Sequence, residues 1–535
     1  MNSVRSLRFL LPALLCLLLA AGFAGKALAH AQLIASQPAS GAVVKAAPET
    51  LRLTFNEPVS LLGLKWFAPN GREEAVGEPG FDAESLILPV PENAGEGTHL
   101  VSYRVTSLDG HVIGGTLAFS IGKASAAPVA GDPADAGASA ARLAAAARFL
   151  LTLTLTIAAG GAAFFAFPAR NIDGLDAPRR FARVFAFFGL FAAPLALGVQ
   201  GLDLLGLPPG GLLTAAPYQA ASAGPFFWTA SFSFTACLLA IEALCRRSAR
   251  LAGFGAWIFA ALSFAMFGHA ASASPQALMR PAVTLHAAAF LFWLGSLPPL
   301  LYAAGRRLPD LARLLKNFSS WAVPLVGLLT ATGIAIAFIQ VEAPGYLLST
   351  DYGLILGGKI GLFALLLGLA GLNRLILSPD IGKGEGSAAR RLAGSVKLEI
   401  VLAAVVLVAA SSFRLTPPPR AIAAADRAGA SAHLHQERAA ANVVARPGRR
   451  GENRLTLDIF GADGAPLAAK EVSLALSRGD LGLEPIKVKA TADGKGAWVS
   501  DPVPLTLAGD WSVNLNILVS DFEETSLAGS ISIRH

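Results

Sequence analysis

Arg183-Val-Phe-Ala-Phe-Phe-Gly-Leu-Phe-Ala-Ala-Pro-Leu-Ala-Leu-Gly-Val-Gln-Gly-Leu-Asp-Leu-Leu-Gly206 is apolar over nearly its whole length. About 20 residues of this kind cross a hydrocarbon core about 30 Å thick as a helix. Seven further stretches read the same way, near 147–167, 226–245, 251–271, 281–303, 318–341, 353–377 and 396–414. Composition agrees: 54% of the 535 residues are hydrophobic and 15% charged, with a mean hydropathy of +0.55. That balance excludes an ordinary soluble protein and points to a bundle of eight transmembrane helices. The formal net charge of +7 is no mark of nucleic-acid binding, because the basic residues cluster in short loops. Arg170, Arg179 and Arg180 lie in one loop; Arg246, Arg247 and Arg250 in another; Arg306, Arg307, Arg313 and Lys316 in a third; Lys383, Arg390 and Arg391 in a fourth. The intervening loops 207–225, 272–280 and 342–352 hold only Arg280. Retention of positive charge inside makes the basic loops cytoplasmic and sends both flanking regions outside.

Working outward, residues 1–29 read as a signal peptide: Arg5 and Arg8, the apolar run Phe9–Ala21, and Ala27-Leu28-Ala29 as the cleavage site. The signal and the loop charges agree independently on an exported N-terminal segment. Residues 30–123 alternate short β-rich runs, such as Leu51–Phe55, Thr98–Val105 and Thr116–Ile121, with turn residues, the pattern of a small all-β sandwich or barrel. Residues 124–145 read as a linker, 146–415 as the membrane domain and 416–440 as a tether. The β pattern returns over 441–535, with turns at Ala462-Asp-Gly464 and Ala492-Asp-Gly494, as a second exported β-sandwich. The cysteines, Cys16, Cys237 and Cys245, offer the exported regions neither a disulfide framework nor a zinc-finger spacing.

Cleavage after Ala29 would leave His30 with a free α-amine beside its imidazole, two neutral donors that can close a chelate ring. Asp109 and His111, two residues apart, add a carboxylate and a second imidazole. Together they make an N₃O set suited to Cu(II). The competing reading makes Ser107-Leu-Asp-Gly-His111 a hairpin turn with a solvated histidine. In the membrane domain His269 and His286 fall near the outer ends of spans four and five, at similar depth, where a functional role is the default; the alternative is that each satisfies a helix end. Met266, one turn before His269, is a soft Cu(I) ligand or ordinary packing. Lys359 either neutralises Asp351 or snorkels to the interface, and Glu399 needs a basic partner or an inward-facing position. His433 and His435 form a His-x-His in the tether, read as solvated linker or as a loose copper site.

Several segments carry a resemblance. His30-Ala-Gln-Leu, Ser36-Gln-Pro-Ala-Ser-Gly41, Phe55-Asn-Glu-Pro-Val59 and Tyr103-Arg-Val-Thr-Ser-Leu-Asp-Gly-His-Val112 resemble the periplasmic copper-binding protein CopC. Phe267-Gly-His269, Leu285-His286, Trp293-Leu-Gly295, Tyr352-Gly353 and Lys359 resemble its membrane partner CopD, so the chain resembles a CopC–CopD fusion. The resemblance implies His30, Asp109 and His111 as Cu(II) ligands and gives Glu57 a structural or secondary role near the metal. It raises His269 and His286 as copper ligands in the membrane. A Met-rich Cu(I) site is absent from the exported domain, since Met266 and Met279 are the only methionines after Met1. Gly509-Asp-Trp511 and the runs after it resemble the FixH and YtkA domains.

The expectation is a bacterial inner-membrane protein that binds copper in the periplasm and transports it across the bilayer, uptake favoured, in copper homeostasis and resistance. Cu(II) is held outside, and Cu(I) is an option within the membrane. Its partners are copper ions, lipid, and periplasmic copper donors or acceptors. Two other classes compete: a haem-bearing b-type electron carrier, for which two membrane histidines suffice for one haem, and a copper-sensing or chaperoning receptor without transport. No Walker motif or phosphorylated-Asp signature supports an ATP-driven pump, and no nucleophile–base arrangement supports enzymatic catalysis.

Overall fold

The computed structural model describes residues 33–534 apart from 39–41, 56–57, 83, 108–111, 124, 126–132, 247–248, 269–272, 274, 342–344, 384–386, 414–415, 417, 437–438, 462–464, 479–480 and 495. The chain divides into two compact units, one of residues 135–420 and one of 30–134 with 421–535.

The N-terminal β-domain is a sandwich. One sheet runs β1 (Leu33–Gln37), β3 (Thr50–Phe55), β7 (Ser85–Pro89), β6 (Gly80–Asp82); the other runs β2 (Val43–Val44), β9 (Val112–Ile121), β8 (Gly97–Ser107), β4 (Val59–Phe67), β5 (Glu73–Glu74). The alternation visible in the sequence sets the faces: Leu51, Leu53 and Phe55 of β3 are buried, with Arg52 and Thr54 between them. They meet Trp66, Leu86, Leu88, Val101, Tyr103, Val105, Leu117, Phe119 and Ile121 in one core.

In the membrane unit α1 is Pro133–Leu155, followed by a π-turn at Thr156–Gly160 and α2 (Gly161–Ala166). Then come α3 (Asp176–Leu205), α4 (Ala216–Ser222), α5 (Phe226–Cys245), α6 (Arg250–Ala265), α7 (Gln276–Arg306), α8 (Leu311–Val341), α9 (Tyr346–Ser349) and α10 (Asp351–Leu372). A second π-turn at Asn373–Leu377 leads into α11 (Ser378–Gly382), and α12 (Ala388–Ser412) and α13 (Pro419–Ala428) follow. The quoted stretch forms most of α3, and Gly206, at φ 66°, ends it in the left-handed conformation that favours glycine. Among the described residues seven helical stretches are long and apolar enough to cross a membrane. The eighth expected stretch is shorter: α6 has 16 residues, about 24 Å, and Met266–Gly268 beyond it are bends. Phe188, Phe191, Ile334 and Phe338 project outward at 62–83% exposure, a surface that needs lipid rather than water.

Two expected boundaries move. Helix α1 starts within the expected linker, because Ala is the strongest helix former and Pro133 is tolerated in a first turn. The expected tether contains α13 and strand β10 (Ala430–His435). The C-terminal domain is a single nine-stranded sheet rather than two packed sheets. Its order is β10, β11 (Ala439–Arg446), β12 (Gly451–Gly461), β15 (Trp498–Ser500), β14 (Ile486–Ala492), β13 (Glu471–Ser477), β17 (Gly509–Ser520), β18 (Glu523–Ile533), with β16 (Val503–Leu505) beside β12. The sheet curls until β10 lies against β18, where a Cβ on Gly529 would stand 2.4 Å from Leu434 Cδ2. The curl encloses Leu434, Val443, Leu457, Leu474, Trp511 and Leu527 without a second sheet.

Candidate functional site

The expected exported ligands, His30, Asp109 and His111, and the secondary candidate Glu57 lie outside the described residues. The nearest registered residues are gathered by the strand pairing. Leu33 pairs with Phe55, Val59 pairs with Ser107, and Thr106 pairs with Val112. Leu33, Phe55, Val59, Ser107 and Val112 therefore share one end of the sandwich, although they span some 80 residues of chain. Beneath that end Tyr103 is buried edge-on to Phe55, ring centroids 5.8 Å apart. Burial pushes its phenol up to about 12. A Cβ on Gly115 would fall 2.3 Å from the Tyr103 hydroxyl, so only glycine fits there.

His99, to which the resemblance assigned no role, is fully buried on β8. Trp66 Nε1 donates to its Nδ1 at 3.1 Å, and its Nε2 lies 2.8 Å from the Gly95 carbonyl. Indole only donates, so Nδ1 must accept and Nε2 carries the proton. Both ring nitrogens are engaged, which makes His99 a structural residue.

In the membrane unit His286 sits on α7 and meets Thr332 of α8, Nδ1 to Oγ1 at 3.2 Å. The threonine proton is directed at the Leu328 carbonyl, 2.7 Å away, and more weakly at that of Leu329, 3.2 Å away. Oγ1 can therefore only accept from the ring. The Leu329 carbonyl is a second hydrogen-bond partner of the ring; with the proton on Nδ1, Nε2 would keep its lone pair, the arrangement in which an imidazole binds metal. Gly333 Cα backs the ring closely: a Cβ there would stand 3.3 Å from Cε1.

His269 lies outside the described residues. The segment before it is fixed by Arg148 of α1, whose guanidinium lies over the Phe267 ring at 4.1 Å and the Phe226 ring at 5.2 Å. Arg148 also donates to Gln200 Oε1 at 3.3 Å, and Asp203, one turn along α3 from Gln200, is 5% exposed. Sequence reading passed over this polar group, though Gln and Asp three apart inside an apolar stretch are a usable signal. Met266 is partly exposed at the end of α6. Lys359 does not neutralise Asp351; its ammonium lies over the Phe413 ring at 5.7 Å. Glu399 faces the interior and accepts from Asn373, a neutral partner rather than a basic one. His433 and His435 occupy register positions in β10 opposite Asn442 and Ala440, not a solvated tether. Among the described residues no three His, Cys, Asp or Glu side chains stand together as a metal site.

The CopC domain model matches residues 33–122, and the model described as copper resistance protein D matches 312–413. The copper transport protein CutJ of Bacillus subtilis (strain 168) is 24% identical over 534 residues, covering 93% of this chain and 95% of CutJ. Copper resistance protein C of Xanthomonas campestris pv. juglandis is 32% identical over 105 residues, 18% of this chain and 82% of that protein. Copper resistance protein D of Pseudomonas syringae pv. tomato is 35% identical over 104 residues, 18% of this chain and 33% of that protein. A CopC sandwich ahead of a CopD membrane region, with the whole arrangement matched end to end in CutJ, makes this chain a member of the CopC–CopD family of copper resistance and copper transport proteins.

Proposed function

We propose that the chain captures Cu(II) outside a bacterial inner membrane and carries copper inward through a bundle of eight spans, with both β-domains on the outer face. Capture falls to the His30 amine and imidazole, Asp109 and His111, with Glu57 beside them. Nitrogen-rich sites favour Cu(II) over the other divalent ions of its row. His269 and His286 receive the ion at the outer end of the bundle, and Met266 offers a sulfur should it arrive as Cu(I). The observation that carries this reading is the contact between His286 Nδ1 and Thr332 Oγ1 at 3.2 Å within the membrane unit, which orients the ring and, with the proton on Nδ1, offers Nε2 to the ion. Inward movement fits a chain without a nucleotide-binding motif, because passage down a gradient needs no ATP.

The test compares cellular copper and the electron paramagnetic resonance of the purified full chain. Wild type is expected to give a one-to-one type 2 Cu(II) signal with nitrogen couplings, lost in His30→Ala and His111→Ala. His286→Ala is expected to keep that signal and lose copper accumulation. A Cu(II) signal indifferent to all three substitutions, with unchanged cellular copper, refutes the proposal.

A further inference from the structure

Helix α12 carries a buried carboxyl group into the membrane unit. Glu399 is 2% exposed and lies eleven residues from the start of α12, about 16 Å along the axis. An ionised side chain buried within the bundle is costly unless it is compensated. Its partner is Asn373, whose Nδ2 donates to Oε1, and an amide supplies no charge. Helices α7, α10 and α11 and the second π-turn pack against α12. They carry Arg280, His286 and Arg306, Asp351 and Lys359, Asp380, and Arg374 respectively, while α12 itself carries Arg390, Arg391 and Lys397. Arg391 is committed to Asp380 at 3.4 Å, Lys359 to the Phe413 ring, and none of these groups is in ion-pair distance of Glu399.

Two nearby oxygens are also unexplained. Asn373 Oδ1 and Ser395 Oγ are buried and have no hydrogen-bond partner. Ser395 stands one helical turn before Glu399 on the same face of α12. Asn373 opens the π-turn, an irregularity that recurs at functional sites, and the Ser378 hydroxyl holds its backbone carbonyl at 2.7 Å. A buried acceptor without a donor, on an amide that already holds a carboxyl group, calls for an explanation.

We infer that Glu399, Asn373 and Ser395 form a proton-binding site within the bundle. The structure has Asn373 Nδ2 donating to Glu399 Oε1 and Oδ1 left over, the arrangement that suits the ionised carboxylate. On taking up one proton, Glu399 becomes the donor, the Asn373 amide turns over, and Oδ1 accepts from the carboxyl O–H. One O–H bond forms on uptake and breaks on release.

The test uses the full chain in lipid vesicles, read by infrared spectroscopy as pH is varied without copper. A carbonyl band of a protonated carboxyl is expected to fade as pH rises and to be absent from Glu399→Gln. It is expected to shift in Asn373→Leu, which also serves if the first variant fails to assemble. Identical bands in wild type and variants at every pH overturn the site. A band that responds to sodium but not to pH overturns it in favour of a metal cation. Because this measurement contains no copper, its failure is distinct from failure of the copper reading.

Discussion

Thr332→Val tests the membrane ligand most directly, because it changes one atom's chemistry and almost no volume. Oγ1 lies 3.2 Å from His286 Nδ1 and gives its own proton to Leu328. Valine keeps the shape and removes the Thr332 acceptor, leaving the Leu329 carbonyl as the ring's remaining partner, a loss of about 1 kcal/mol. The ring escapes that cost by moving its proton to Nε2, the atom expected to bind copper, or by rotating away. Loss of such an orienting partner weakens metal binding about 10–100-fold. The assay is competition between the purified chain and a chromophoric copper chelator, in an Asp109→Ala/His111→Ala background that removes the exported site. Thr332→Ser, which retains the acceptor, is expected to bind like the parent, and His286→Ala to lose the site. If Thr332→Val binds as tightly as Thr332→Ser while His286→Ala does not bind, the tautomer argument is wrong. Equal binding by all three removes His286 from the pathway.

Other perturbations address the scaffold. His99→Ala leaves the Trp66 indole N–H unsatisfied and opens a cavity, a loss of about 2–4 kcal/mol; hydrogen exchange in β4 and β8 should accelerate while the helices stay protected. Tyr103 ionises later in the folded sandwich than in the unfolded chain, so its contribution is intact below pH 10 and is lost as pH rises towards 12. The two-unit difference amounts to about 3 kcal/mol, and Tyr103→Phe is expected to flatten that part of the alkaline unfolding curve. Gly295→Ala would place a Cβ 2.4 Å from the Thr156 carbonyl and 2.6 Å from Gly160 Cα. Backbone cannot step aside as a side chain can, so α7 must separate from the first π-turn, with a drop of about 1–3 kcal/mol seen as earlier thermal unfolding in detergent.

The elements legible in the sequence were those written in one continuous pattern. Leu51, Leu53 and Phe55 alternate with polar residues, and the apolar stretches exceed any soluble helix, so the β-strands and the membrane domain could be read locally. Strand β10 was missed because its buried face is Ala430, Ala432 and Leu434, small residues inside an Ala-rich stretch that looks like tether. Neither π-turn has a residue signature; each depends on what the helix meets across the bundle. Thr332 and Asn373 were missed because their roles exist only through His286, 46 residues away, and Glu399, 26 residues away. Histidine and glutamate announce themselves in an apolar segment, whereas threonine and asparagine do not.

The outer end of the bundle raises a question of charge. Arg148 lies in the second half of α1, at the outer start of the first expected span, and meets Gln200 near the end of α3, beside the segment that leads into α7 and where copper would enter. A lone guanidinium there would oppose a metal cation. For any two unit charges about 7 Å apart at an effective dielectric of about 20, the repulsion is about 2 kcal/mol, or about 30-fold in occupancy. Asp203, buried one turn from the glutamine that Arg148 holds, supplies the opposite charge and brings the entrance near neutrality. The arginine can then stack on Phe226 and Phe267 without repelling the cargo. Asp203→Asn is accordingly expected to cut copper accumulation at least tenfold while the exported Cu(II) signal stays unchanged, and Arg148→Gln in the same chain should restore part of it. Accumulation that is indifferent to Asp203→Asn would mean that copper does not pass this end of the bundle.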